Sequence, residues 1–374
     1  MPLPKPQPGI LDIVPYKGGE ASVEGVTKVA KLSSNESPLG PSAKAVAAYM
    51  ALAAELHRYP DGGHGDLRQA LAAKWGIPAE RLVVGNGSDE LIGLLVRAFA
   101  GPGDEVLFSR HGFLMYAISA RTAGAEPVMA PEIDYRTDIE ALLAAVTPRT
   151  RIVFVTNPNN PTGSYVTAAE LKSLRDRLPA DVLMVVDAAY AEYVGRNDYS
   201  AGMELVEATD NTVVLRTFSK IYGLGGMRVG WAYGPEEFID VMNRMRGPFN
   251  VNAPAQAAAV AALADVDWVE AARRHNDKWL ARMAEGVART GLSTLPSVGN
   301  FMLIRFPAGA HNAAAAFRFL QRRGLILRPV AGYGLPEFLR LSLGTDEENE
   351  AVLTALADFM AAHPDTLVDP AALA

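Results

Sequence analysis

Cysteine is absent from all 374 residues, so the chain can form neither a disulfide nor a thiolate-ligated zinc site. Basic residues are outnumbered, 35 Lys and Arg against 42 Asp and Glu, for a net charge of −7. Proteins of nucleic acid draw affinity from a positive surface, so this balance argues against such a partner and favours small-molecule chemistry. No run of 18 apolar residues occurs; the longest candidates are Ala-rich, such as 257–264 with Asp265 directly behind, and no membrane span is expected. The N-terminus carries proline at positions 2, 4, 6 and 8 and no apolar core. It reads as an extended, polyproline-like arm rather than a signal peptide, and a cytoplasmic protein is expected. The histidines at 57, 64, 111, 275, 311 and 363 show no His-x-x-x-His or His-Glu-x-x-His spacing, so no metal site is expected.

What is present is ordinary globular composition, 49% hydrophobic and 21% charged, which sets disorder and coiled coil aside. The length suggests two domains. From 43 to about 233, helical patterns alternate with short β-branched runs. A helix pattern at 67–75 leads to Leu82-Val83-Val84; another at 90–99, with Leu91, Leu95 and Phe99 on one face, leads to Glu105-Val106-Leu107-Phe108. Further apolar runs fall at 152–155, 182–186 and 213–215. Strands apolar at every residue and separated by helices predict an α/β fold with a mostly parallel sheet covered on both faces. After Pro248 the pattern is Ala-rich and helical over 254–264 and 266–290. Strand patterns follow at 301–306, 325–327 and 338–343, with a helix at 312–323, and Thr345 and Glu348 have capping-box spacing for a closing helix. The expected organisation is an N-terminal arm and approach segment over 1–42, a large domain over 43–247 and a small α/β domain over 248–374.

Complementary chemistry stands just past three strand patterns, where open α/β sheets bind ligands. The run 152–155 is followed by Thr156-Asn157-Pro158-Asn159-Asn160-Pro161-Thr162-Gly163. The run 182–186 ends in Asp187, with Tyr190 three residues on, and 213–215 leads to Thr217-Phe218-Ser219-Lys220. Singly, each has an ordinary reading: a turn-forming Asp, a Pro-Gly loop, a solvated Lys. Together they match pyridoxal 5′-phosphate. A Lys amine condenses with the cofactor aldehyde, and an acid keeps the pyridine nitrogen protonated so that the ring can absorb an electron pair. Lys220 and Asp187 are the candidates, with Asn160 and Tyr190 suited to the ring hydroxyl.

A phosphate socket is also legible. The strand pattern ending at Gly85 turns through Asn86-Gly87-Ser88-Asp89 into a helix whose first N–H groups suit an anion. The stretch Lys220-Ile221-Tyr222-Gly223-Leu224-Gly225-Gly226-Met227-Arg228 can return tightly enough for Arg228 to reach the same phosphate. Its spacing is wrong for a dinucleotide fingerprint, and no Gly-x4-Gly-Lys-Ser/Thr is present.

In this order, Ser-Asn-Glu-Ser-Pro-Leu-Gly-Pro at 34–41, Arg-Tyr-Pro-Asp at 58–61, Gly-Ser-Asp-Glu at 87–90, Asn-Asn-Pro-Thr-Gly at 159–163, Asp-Ala-Ala-Tyr at 187–190 and Thr-Phe-Ser-Lys at 217–220 resemble fold-type I aminotransferases. With Tyr-Gly-Leu-Pro-Glu-Phe-Leu-Arg-Leu-Ser-Leu-Gly at 333–344, the chain is most similar to the histidinol-phosphate branch of that family, from about residue 15 to 359. The resemblance implies a homodimer with shared active sites, in which Tyr59 reaches the partner's cofactor phosphate. It implies Phe113 as the ring-stacking residue, where many relatives carry Tyr, and Ser88, Asp89, Thr217, Ser219 and Arg228 as cofactor contacts. Arg340 is implied to bind the glutamate α-carboxylate and the phosphate of histidinol phosphate in turn, with Arg328 and Tyr16 as further phosphate contacts and Asn35 as a neighbour. The partners implied are a small-molecule amino donor and a 2-oxo acid acceptor, in a ping-pong reaction through Lys220, whose amine Arg228 and the cofactor would push toward neutrality.

Alternatives on the same scaffold are an aromatic amino-acid aminotransferase and a threonine-phosphate decarboxylase. A rival of another class, a ligand-sensing regulator, usually appends a DNA-binding domain, for which the segment ahead of these motifs is too short.

Overall fold

The computed structural model describes residues 4–16, 18–364 and 367. The first three residues of the proline arm lie outside them; residues 4–7 have no regular secondary structure. Strands β1 to β10 are Ala30–Lys31, Leu82–Gly85, Glu105–Ser109, Glu126–Ala130, Glu132–Ile133, Arg136–Thr137, Thr150–Thr156, Leu183–Asp187, Thr212–Thr217 and Gly230–Tyr233. Strands β11 to β15 are Ser293–Thr294, Phe301–Arg305, Leu325–Ile326, Arg328–Pro329 and Phe338–Ser342.

The principal sheet runs β2-β10-β9-β8-β7-β3-β4. Its pairings are parallel except at β10, which is antiparallel to both neighbours. Side chains of β7, β8 and β9 alternate between two cores. Ile152, Phe154, Leu183, Val185, Val213 and Leu215 enter one; Val153, Val155, Met184, Val186 and Val214 enter the other. Both faces are therefore covered, which is why these strands read as unbroken apolar runs. From β3 the chain goes outward to β4, and from β7 it goes the opposite way to β8. The crevice of an open sheet opens at such a reversal, here beside the carboxyl ends of β3 and β7.

A second sheet, β11-β12-β15-β14, is antiparallel. Its core takes Met302, Ile304, Leu339 and Leu341 together with Trp279, Met283, Leu320, Val352, Leu356 and Phe359 from the helices Val266–Arg289, Ala313–Gln321 and Asp346–Ala361. The last helix is capped by the Thr345–Glu348 box.

Two segments pack differently from the linear division. The strand pattern at 325–327 joins β1 in a separate parallel pair, so Ala30 and Leu32 enter the smaller core. The helix Ala253–Ala264 buries Ala255, Ala258, Ala259 and Ala262 in the core of the principal sheet, where Ala45 of the helix Ala43–Ala51 also lies. Small side chains let two helices approach closely, so the packing of the large unit runs past residue 247, where the sequence division ended it.

Candidate active site

The crevice beside β3 and β7 opens into a cavity of about 330 Å³ between the two sheets, a size suited to a small ligand. Its lining brings together Ser88, Asp89, Phe113, Asn160, Asp187, Tyr190, Thr217, Ser219, Lys220 and Arg228. Tyr16, Asn35, Arg328 and Arg340 line it too. Of the sequence candidates only Tyr59 stays outside: it is 83% exposed and stacks on Phe249 with ring centroids 4.7 Å apart.

Asp187 closes β8 and is buried. Its Oδ2 accepts the Tyr116 hydroxyl at 2.7 Å, and Oδ1 accepts the Ala189 N–H at 3.3 Å. Tyr116 in turn meets Thr156 Oγ1 at 2.8 Å. Burial pushes the carboxyl up to about 6, against the opposing effect of the Tyr116 hydrogen bond. A buried acid that needs compensation suits a cationic ring nitrogen.

Lys220 follows β9, and its Nζ lies 5.5 Å from the centre of the Tyr190 ring. Burial and then Arg340 lower its amine to about 8. Arg228, which the sequence reading made responsible, acts in the same direction but ranks below both. The cause is position: the amine is buried in the wall of a cavity it shares with Arg340, which folding brings from 120 residues away.

The phosphate socket combines the start of the helix Ser88–Phe99 with Arg228. The N-cap is Gly87, at φ 81°, and no side chain caps the helix, so Ser88 and Asp89 are not cap residues. A Cβ at Gly87 would lie 2.4 Å from Arg228 Nη2; only glycine lets the guanidinium reach the helix start. Arg228 donates to Ser219 Oγ at 3.3 Å and Asp89 Oδ2 at 3.2 Å. The Asp89 carboxylate offsets part of the Arg228 charge, so it is the N–H of Asp89, not its side chain, that suits an anion. The Thr217 hydroxyl is engaged inside the loop, donating to the Val229 carbonyl and accepting the Ser219 N–H.

The opposite wall comes from the smaller sheet. Arg328 and Arg340 stand directly across the β14–β15 pair. Arg340 donates to Asn160 Oδ1 at 2.5 Å and to the Ser33 carbonyl at 2.8 Å. Its Nε is buried and has no hydrogen-bond partner among the described residues. With its carbonyl oxygen taken, Asn160 offers a ring hydroxyl its NH₂. Like charges directly opposed are unfavourable, and an orphaned buried donor costs further free energy; an anion between the two arginines relieves both. Arg328 also lies over the Tyr16 ring at 5.9 Å. Asn35, at φ 55°, ties the walls together. Its Nδ2 donates to Tyr190 Oη at 2.9 Å, while its N–H and Oδ1 bond the Ser342 hydroxyl at 2.8 and 2.9 Å.

These groups fit pyridoxal phosphate: an amine near neutrality, a buried acid, an aromatic face at Phe113 and a glycine-cradled anion site. Sequence reasoning missed Tyr116, Thr156, Ser33 and Tyr333. The Tyr116–Asp187 bond spans 71 residues and carries no local signal; Tyr333 lies inside the 333–344 motif and its ring is buried on the cavity wall.

Residues 27–356 match the family Aminotransferase class I and II. A histidinol-phosphate aminotransferase of Paramagnetospirillum magneticum is 57% identical over 97% of this chain and 100% of its own length. One of Rhodospirillum centenum is 53% identical over 96% of this chain and 99% of its own. Among solved structures, a histidinol-phosphate aminotransferase from Sinorhizobium meliloti in complex with pyridoxal-5′-phosphate superimposes with a TM-score of 0.84 at 31% identity, covering 89% of this chain and 92% of that one.

Proposed function

The chain belongs to the class I and II aminotransferase family, and we propose that it moves an amino group between L-histidinol phosphate and 2-oxoglutarate, a step of histidine biosynthesis. It is a transaminase, its fold is fold-type I, and its cofactor is pyridoxal 5′-phosphate. The observation that carries the substrate reading is the Arg328–Arg340 pair across β14 and β15, on the cavity wall that faces Lys220. Glutamate and histidinol phosphate each place an anion at a distance from the reacting amine, and one guanidinium fork can serve both in turn.

When bound, the cofactor supplies an aldehyde that takes up amines and a ring that accepts the electron pair released at the substrate carbon. Lys220 would supply the amine that anchors it and, once released, would act as the base that takes the proton from the substrate carbon and the acid that gives it to the former aldehyde carbon. Asp187, fixed by Tyr116 and the Ala189 N–H, holds a proton on the ring nitrogen. Tyr190 and Asn160 would hold the ring hydroxyl; the N–H groups at Ser88 and Asp89, with Ser219 and Arg228, would hold the phosphate; Thr217 orders that loop. Phe113 covers the ring, and Asn35 and Tyr16 close the substrate side.

A homodimer completes the site, since exposed Tyr59 lies outside its own cavity, stacked on exposed Phe249. The substrates are small molecules, and a phosphorylated substrate, which its charge keeps from crossing a membrane, supports a cytoplasmic location.

An amine-donor panel with 2-oxoglutarate as acceptor tests the reading. Histidinol phosphate is expected to exceed phenylalanine in kcat/KM by at least roughly 10²-fold, the scale of discrimination available when buried polar groups must be matched. Preference for phenylalanine, or release of carbon dioxide from a phosphorylated amino acid, would replace it. Lys220→Ala serves as the control and is expected to abolish both turnover and the absorption band that arises from the lysine's imine bond to the cofactor.

A further inference from the structure

Phe113 and Tyr116 sit on one short stretch that leaves β3 and enters the helix Met115–Thr122. One faces the cavity; the other donates to Asp187. They are linked directly: the Tyr116 N–H donates to the Phe113 carbonyl at 3.1 Å and their rings meet edge-on at 5.9 Å. The start of this stretch is gripped by one carboxylate that takes no part in the cavity. Glu132 Oε1 accepts the backbone N–H of His111 at 3.0 Å, and Oε2 lies 2.7 Å from Nδ1 of the same residue. The pair is enclosed, with the Glu132 side chain 2% exposed and that of His111 11%. A carboxylate is tolerated at such depth only when both oxygens are bonded.

The surroundings turn that grip into a fixed height. The His111 carbonyl accepts Asn159 Nδ2 at 3.3 Å, immediately before Asn160. At Gly112 the chain doubles back, its N–H donating to the Ser109 carbonyl at 2.8 Å; a Cβ there would lie 2.9 Å from the same oxygen. Glu132 is presented by the β5–β6 hairpin, whose turn holds Asp134 at φ 49° and Tyr135 at φ 62°. A bulky residue in that region is strained and persists where the surrounding contacts over-determine it. Tyr135 packs between the His111 ring at 6.0 Å and Phe338 of β15 at 5.3 Å, two residues from Arg340.

We propose that Glu132 and His111 are positioning residues for catalysis, acting through Phe113 and Tyr116 to set the ring-covering side chain and the hydroxyl that holds Asp187. The chemistry is a two-point clamp: one carboxylate spans a backbone N–H and the imidazole of a single residue, so neither the peptide plane nor the side chain at 111 can turn without breaking a buried bond. The proposal rests on the reading of Phe113 as the face that covers the cofactor.

The test uses holoenzyme carrying Glu132→Ala, Glu132→Gln, His111→Ala or, as reference, Phe113→Leu. Readouts are the visible circular dichroism of bound cofactor, its dissociation constant, kcat, KM and the melting temperature of the apoprotein. Glu132→Ala is expected to change the dichroism in the same sense as Phe113→Leu and to weaken cofactor binding about 10-fold, the scale of losing a group that orients a ligand-holding residue. It should lower kcat roughly 10–100-fold, as misplacement by about 1 Å does, with KM for either substrate within about 3-fold. Glu132→Gln keeps an acceptor for the backbone N–H and should recover most of the loss; His111→Ala keeps the backbone bond and should show the smaller change. An unaltered dichroism and kcat in Glu132→Ala, with Phe113→Leu altered, overturns the proposal alone. Should Glu132→Ala fail to fold, His111→Ala decides on the same band. If Phe113→Leu itself leaves the band unchanged, the reading of the cavity falls and the proposal with it.

Discussion

The floor of the cavity, at the carboxyl ends of β7, β8 and β9, holds its polar groups in bonds already made. Asp187 is bonded to Tyr116 and Ala189, Thr217 to its own loop, and Arg228 to Ser219 and Asp89. The wall contributed by the smaller sheet sets two like charges across a strand pair instead, with Arg328 opposite Arg340 and Arg340 Nε without a hydrogen-bond partner among the described residues. The difference follows from what each side receives. A resident cofactor calls for a rigid, prebuilt socket, whereas substrates that arrive and leave twice per cycle are best held by charges that gain when an anion comes and relax when it goes. Floor variants should therefore damage the chemical step, and wall variants should damage substrate affinity.

The largest expected effect is at the floor. Asp187→Asn keeps the shape and an acceptor for Tyr116 but loses the charge that favours a protonated ring nitrogen. A fall in kcat of roughly 10²–10³ is expected, as for other positioned electrostatic groups, with KM little changed. The apoprotein should respond in the opposite direction. Its Asp187 carboxyl, near 6 rather than the ordinary 3.8, favours folding below the ordinary value, and that contribution is lost as pH rises through about 6. The charged form then costs the apoprotein about 3 kcal/mol at neutral pH, from a shift of some two pKa units. Asp187→Asn apoprotein should melt higher than the parent above pH 6 and lose that advantage toward pH 4. Equal melting curves at pH 7.5 would show that the buried charge carries no cost.

How much of this was legible in the sequence depends on whether the physics is local. Asp187, Asn160 and Lys220 were legible because each closes or follows an apolar strand, and β-strands buried on both faces leave a strong trace. The strand β10, Gly-Trp-Ala-Tyr, was not singled out: four residues without alternation give no period to read, and only its pairing between β2 and β9 defines it. The helix Ala253–Ala264 was readable as a helix but not as part of the large unit, since an alanine face can pack against either core. The clamp at Glu132 carried no signal either, because a glutamate in a two-residue strand resembles any surface acid. Arg228 does lower the Lys220 amine, as the sequence suggested, but the two larger causes, burial and Arg340, carried no local signal. Arg228 is near in sequence, while Arg340 is near in space.

A smaller effect is expected at the wall. Arg340→Lys keeps the charge and removes the planar fork, so KM for glutamate and for histidinol phosphate should each rise about 10–100-fold, 1.4 to 2.8 kcal/mol, with kcat within a few-fold. Arg328→Gln should raise KM for the phosphorylated substrate more than for glutamate, because it removes a guanidinium fork suited to a phosphate. Steady-state kinetics with both donors separates the two arginines. A fall in kcat without a rise in KM would erase the distinction between wall and floor.

The smallest expected effect joins the two regions, since Arg340 on the wall acts on Lys220 at the floor. The amine is lowered from 10.5 to about 8, first by burial and then by Arg340. Only the neutral amine attacks an aldehyde, so the rate at which apoprotein captures pyridoxal phosphate should climb about tenfold per pH unit below 8 and level off above it. Removing the wall charge in Arg340→Gln takes away one of the two leading causes, and the midpoint of that profile should move upward. Arg228→Gln, acting through the weaker of the two guanidinium effects, should move it less. Stopped-flow absorbance between pH 6.5 and 9.5 reads these midpoints directly. A larger displacement in the Arg228 variant than in the Arg340 variant would return control of Lys220 to the floor alone.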